Sequence, residues 1–145
     1  MYPCVLSRGI FMISLHQNRT VLTYGVFDVF GAYHVENLAK IRRHGDQLIV
    51  GCATDALCSQ SNIRCQMSFD HRRRVLEACR TIDRVIPVSS WDQYRTDIVN
   101  TNTAVFAMPD HWDGLLGDLD DLVQVVFFPS PASAAPARMH KLRAG

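Results

Sequence analysis

The sequence has almost no lysine: of 15 basic residues only Lys40 and Lys141 are lysine, and the rest are arginine. Net charge is nearly absent as well, since 15 basic against 14 acidic residues leave +1. That excludes the strong positive field of a dedicated nucleic-acid-binding module. No apolar run approaches the roughly 18–20 residues that cross a bilayer, so no membrane span is expected. None of the five cysteines (Cys4, Cys52, Cys58, Cys65 and Cys79) sits in a C-x-x-C pair, which removes a zinc ribbon and a thioredoxin-like redox motif. Their odd number and scattered spacing do not suit a secreted disulfide framework, and a reducing, cytoplasmic setting is expected. Cys52 and Cys79 lie in apolar segments and read as small buried hydrophobes. There is also no G-x-G-x-x-G and no Walker A lysine, so the dinucleotide and P-loop readings fail.

What is present is one domain's worth of chain: 145 residues with 48% apolar content, enough for an independent core and too apolar for global disorder. Residues 1–19 read as an irregular extension, with Met12 as an alternative start. Residues 20–129 carry the domain, and the Pro/Ala/Ser-rich residues 130–145 read as a flexible tail. Charge is unevenly placed. Ten basic residues fall between Lys40 and Arg95, whereas Asp110 to Asp121 holds five acids and no Lys or Arg. These read as a basic helix face and a solvated acidic loop.

Between the ends, strand-like and helix-like segments alternate. Thr20–Tyr24, Gln47–Ala53, Arg84–Val88, Ala104–Met108 and Leu122–Phe128 are β-branched or continuously apolar and are expected to be strands. His34–His44 places Val35, Leu38 and Ile41 at helical spacing and ends at Gly45. Ser68 is expected to cap a helix over about Phe69–Ile82, with Val75, Leu76, Cys79 and Ile82 inward. Ser90 with Gln93 has the form of a capping box opening a helix through about Val99. Such alternation implies right-handed crossovers and a three-layer α/β/α domain on a mostly parallel five-stranded sheet. Ligands in such folds lie beyond the carboxyl ends of the strands. The segments to search are therefore Gly25–His34, Thr54–Met67, Pro109–Gly114 and the loop after Phe128.

The first of these offers Gly25, Val26, Phe27, Asp28 and Gly31, followed by His34 in the first turn of a helix. Free backbone N–H groups at a helix start suit a phosphate, and His34 is placed either to add a donor or to bond locally. Asp28 and Asp110 are the carboxylates best placed for Mg²⁺. Trp112 is placed to stack on a base or to plug its loop, while His44, His71 and His111 read as structural.

The islands Tyr24-Gly-Val-Phe-Asp28, His34, Gly45-Asp46, Ala53-Thr54-Asp55, His71-Arg72, Asp83-Arg-Val-Ile-Pro87, Trp91 and Asp110-His-Trp112 resemble the bacterial glycerol-3-phosphate cytidylyltransferases over about Val21–Pro129. The resemblance implies a Rossmann-like nucleotidyltransferase domain, usually dimeric. It would transfer CMP from CTP, with Mg²⁺, to a phosphorylated small alcohol and release pyrophosphate. It also implies catalytic work for His34 and nucleotide contacts from Gly25, Val26, Phe27, Gly31, Arg80, Asp110 and Trp112. Arg72 and Trp91 are implied on the substrate side.

The departures from that pattern run in one direction. The family's H-x-G-H reads Gly31-Ala32-Tyr33-His34. Its phosphate-gripping lysine positions are Ser61, Ile63 and Tyr94. Its R-T-x-G-I-S-T loop is replaced by Ser130-Pro-Ala-Ser-Ala-Ala-Pro136. Oxyanion donors contribute about 10²–10³-fold each, or roughly 3–4 kcal/mol, without being additive. Arg42, Arg64 or the Arg72–Arg74 cluster would have to replace them, and arginine suits phosphate. Two readings follow: an active transferase with an altered acceptor, or a non-catalytic nucleotide-binding or dimeric interaction protein on the same scaffold.

Overall fold

The computed structural model describes residues 18–130, so the expected extension and tail lie largely outside it. Five strands form one fully parallel sheet: β1 (Thr20–Gly25), β2 (Gln47–Ala53), β3 (Arg84–Val88), β4 (Thr103–Pro109) and β5 (Gln124–Phe128), in the order β3-β2-β1-β4-β5. Side chains alternate between faces along each strand. Val21, Leu48, Val50, Val105 and Ala107 enter one core with Leu38 and Ile41 of α1 (Ala32–Arg42) and Leu76 of α3 (Phe69–Glu77). Leu22, Tyr24, Ile49, Phe106 and Met108 enter the other with Leu57 of α2 (Asp55–Gln60) and Ile98 of α4 (Tyr94–Asn100). Both faces are covered, which is why the strands read as near-continuous apolar runs.

Pro87 sits in β3 at the sheet's edge, where a missing N–H is tolerated. Asp83 pins that edge, accepting from the Leu48 N–H at 2.8 Å while its own N–H donates to the Leu48 carbonyl at 2.9 Å. Gly45 matters through close approach, because a Cβ there would fall on the Arg19 carbonyl.

The helices depart from expectation more than the strands. α1 starts two residues early, and Val35 is on its outer side at 43% exposure. α2 was expected as loop; Thr54 caps it, its Oγ1 accepting from the Leu57 N–H at 3.2 Å. Ser68 caps α3 as expected, accepting from the His71 N–H. However, α3 stops at Glu77, and successive turns, not helix, deliver Ile82 to the core. Cys79 is half-buried against that core rather than within it. Ser90 does not cap: its hydroxyl donates to Asp92, and a 3₁₀ turn at Trp91–Gln93 precedes α4. Gln93 does not complete the expected box either, since its side chain accepts from the Ser89 N–H at 3.0 Å rather than from that of Ser90.

Candidate functional site

A cavity of about 220 Å³ opens at the carboxyl ends of β1 and β4, where the strand order reverses. Its floor is Thr23, Tyr24 and Gly25, its apolar end is Trp91 and Trp112, and its rim is His111 and Ser130. One side is α1, which presents His34, Asn37 and Leu38.

The β1–α1 loop shapes the entrance. Phe27 and Val29 hold φ of 57° and 49°, a left-handed backbone that is costly for bulky and β-branched residues. Asp28 sets that loop, its Oδ2 accepting from the Gln66 N–H at 2.7 Å and its Oδ1 from the Met67 N–H at 2.9 Å. A Cβ on Gly25 would meet the Phe27 ring at 2.7 Å, so glycine lets the ring fold over the strand end.

His34 is fixed from behind. The Gly31 N–H donates to its Nδ1 at 3.1 Å, and its ring stacks on Phe30 with centroids 5.1 Å apart. An accepting Nδ1 puts the proton of the neutral ring on Nε2. Burial lowers the His34 pKa from its ordinary value, favouring that neutral form. His34 thus both bonds locally and lines the cavity. His111 is also lowered by burial, with the Asp110 charge opposing. Its Nδ1 lies 3.1 Å from the Ser130 hydroxyl, which donates to Asp110 at 2.7 Å. Below the floor, the Tyr24 hydroxyl donates to buried Asp97; burial first, and that bond second, raise its pKa.

Of the residues expected here, Gly25, Val26, Phe27, Asp28, His34, Trp91 and Trp112 line the cavity. Gly31 acts one step back, as the donor that fixes His34. The arginines are not brought to it. Arg42 lies at the far end of α1, donating to the Gly45 carbonyl at 3.1 Å and pairing with Asp83 at 3.5 Å. Arg80 is exposed beyond the end of α3. Arg64 lines a separate recess with Cys58 and Cys65. Arg73 and Arg74 pair with Asp70. Arg72 is 1% exposed and spent on the protein itself, through the Val26, Ala53 and Met67 carbonyls and Asp55.

The family's lysine and arginine positions are likewise absorbed. Ser61 accepts from the Trp91 indole at 2.7 Å, and Ile63 packs on the core. Tyr94 stacks on Phe106 and accepts from the Gly117 N–H. Ser130 bridges Asp110 and His111. Among the described residues, none lining the cavity is Lys or Arg. Asn37 was missed by sequence reasoning, although three residues after His34 on a helix is the same face. His111, read as structural, also lines the rim.

The two carboxylates expected near Mg²⁺ are both engaged by the protein. Both Asp28 oxygens hold backbone N–H groups, Asp110 is tied to Ser130, and among the described residues no three His, Cys, Asp or Glu side chains gather to hold a metal.

A parallel five-stranded sheet, covered on both faces and with its cavity at the switch point, is a Rossmann-like α/β domain. The family model described as cytidylyltransferase-like matches residues 22–131. The glycerol-3-phosphate cytidylyltransferase of Bacillus subtilis (strain 168) is 34% identical over 127 residues, covering 88% of this chain and 98% of that protein. That of Staphylococcus aureus (strain NCTC 8325 / PS 47) is 32% identical over 109 residues, covering 75% and 83%. A crystal structure of the lipopolysaccharide core biosynthesis protein from Thermoplasma volcanium GSS1 shares the fold, with a TM-score of 0.68 at 20% identity over 79% of this chain and 99% of that one. The chain belongs to the cytidylyltransferase-like family of nucleotidyltransferases.

Proposed function

We propose that this protein binds the nucleoside end of a cytidine nucleotide and does not drive rapid CMP transfer. The observation that carries this reading is the cavity's wall. It offers two tryptophans, Tyr33 and the faces of His34 and Phe27 to a base and sugar, yet no Lys or Arg among the described residues to a triphosphate. Transfer of a nucleotidyl group depends on positioning and on stabilising charge at the phosphorus and on the leaving pyrophosphate. Neutral His34, with its proton on Nε2, can donate one hydrogen bond to a phosphate oxygen. A single neutral donor does not balance the charge that develops on pyrophosphate.

The second reading, an active transferase with an altered phosphorylated acceptor, is favoured by the same histidine, because Gly31 still holds it in a donor-ready orientation. Two measurements on one preparation separate the readings. Calorimetric titration with CTP is expected to show binding, and pyrophosphate release from CTP and Mg²⁺ with glycerol 3-phosphate or related acceptors is expected to be negligible. Turnover that collapses in His34→Ala would establish the second reading instead, and absence of any cytidine-nucleotide binding would overturn the first.

A further inference from the structure

The two edges of the sheet are not alike. β3 carries Pro87, which offers no N–H, and begins at exposed Arg84; both discourage pairing with another strand. β5, at the opposite edge, has no proline and no charged side chain in Gln124–Phe128, and among the described residues no strand lies beyond it. Its Phe127 is 37% exposed, and Leu122, just ahead of the strand, is 42% exposed. An apolar edge strand with a free row of N–H and C=O groups is a template for one more strand.

We propose that residues 10–15 of this same chain occupy that edge as a sixth strand, antiparallel to β5. The segment has no charged residue, proline or glycine, and Ile10, Phe11 and Ile13 are strong strand formers. Alternation puts Phe11, Ile13 and Leu15 on one face of such a strand, continuing an apolar side of the sheet.

The point where the chain enters the sheet sets the direction. Arg19 stands at the amino end of β1, its carbonyl accepting from the Asp46 and Gln47 N–H groups. Its guanidinium reaches to the foot of β5, donating to the Gln124 side chain at 3.1 Å. A position beyond β5 is three strand spacings from β1, about 14–15 Å. The five residue steps from Leu15 to Thr20 reach roughly 16–18 Å, enough for the polar residues 16–19 to pass beneath β4. A segment that must arrive at the amino end of the sheet runs against β5. An otherwise parallel sheet with one antiparallel edge strand is a common arrangement.

This docking is independent of what the cavity binds. Hydrogen exchange read by mass spectrometry, on the full chain and on a chain starting at Asn18, tests it. In the full chain, the amides of residues 10–15 and of β5 are expected to exchange slowly together. Removing residues 1–17 is expected to speed β5 exchange at least about tenfold and to leave β1 unchanged. Met12→Pro and Ile13→Pro probe the same contact in the full chain, because adjacent N–H groups of a strand point to opposite sides. At least one of the two is expected to release β5 to the same extent. Fast exchange at residues 10–15 in the full chain, or β5 exchange indifferent to the truncation and to both proline variants, would overturn the proposal. So would β5 protection that fades on dilution while sedimentation shows a dimer dissociating, since a second copy would then hold the edge.

Discussion

Arg72 is the residue on which the loops around the cavity depend. Its guanidinium donates to carbonyls of the β1–α1 loop, the end of β2 and the loop before α3, and to Asp55. Removing it leaves three acceptors without this donor and one carboxylate without its partner. Arg72→Ala is therefore expected to cost on the order of 3 kcal/mol or more, read from urea unfolding; a change within experimental error would show that water replaces the guanidinium. In the sequence Arg72 opens a run of three arginines and is set apart from Arg73 and Arg74 by the family resemblance. The spacing to buried Leu76 marks it as the inward one, whereas nothing in the residues around Arg42 or Arg80 tells which way those side chains turn. His34 and His111 set a pH dependence of their own, because burial holds both below the ordinary 6.5. As pH falls, the unfolded chain takes up those protons first, so stability is complete above about 6.5 and declines as pH drops through the lower folded-state values. Thermal midpoints are expected to fall as pH drops below about 6.5, and to flatten there in a His34→Gln, His111→Gln variant. Asp55 and Asp70, held below 3.8 chiefly by hydrogen bonds to Phe69 and Arg73 respectively, lose their contributions only at more acid pH.

At the scale of elements, β1 is tied to α4 through one buried pair, the Tyr24 hydroxyl on Asp97, with Gln93 giving Asp97 a second donor at 2.9 Å. Tyr24→Phe keeps the ring packed edge-on against Phe106 and removes only that donor. It is expected to destabilise by about 1.5–3 kcal/mol, as for a hydrogen bond to a charged group, in chemical denaturation; a neutral result would mean Gln93 alone satisfies Asp97. The strands were readable because burial on both faces writes itself as apolar runs, and each expected strand is present within a residue or two. The helices were less so. α2 is a single capped stretch of six residues, too short for a period to develop. α3 was read too long because Cys79 and Ile82 continue its apolar spacing, although the chain reaches the core there through turns. The cavity's walls followed from the strands, since a parallel sheet places its loops at one edge. Its chemistry did not, because hydrogen bonds between loops, such as Asp28 to Gln66 and Met67, leave no local pattern.

For the whole molecule, the near-balance of charge and the scarcity of lysine take on a location. The basic residues are numerous, but among the described residues they pair with Asp55, Asp70 and Asp83, bind carbonyls or lie outside the cavity lining. The cavity itself is an aromatic and apolar cleft whose polar side chains include His34, Asn37, His111, Ser130 and a latched Asp28. A site of this kind recognises a base and sugar by stacking and a few hydrogen bonds, and gains little from added phosphates. In a cation-lined site each charge-assisted phosphate contact would add about 1.5–3 kcal/mol. CTP is therefore expected to bind less than about tenfold more tightly than cytidine, a difference below roughly 1.4 kcal/mol. Its affinity is also expected to change little as salt is raised, since no desolvated cation pairs with the phosphates there to be screened. Calorimetric titration of both ligands at low and high salt measures both quantities. A hundredfold preference for CTP that falls steeply with salt would mean that cations outside residues 18–130, or from a second chain, complete the site, and the reading of a charge-poor cleft would then fail.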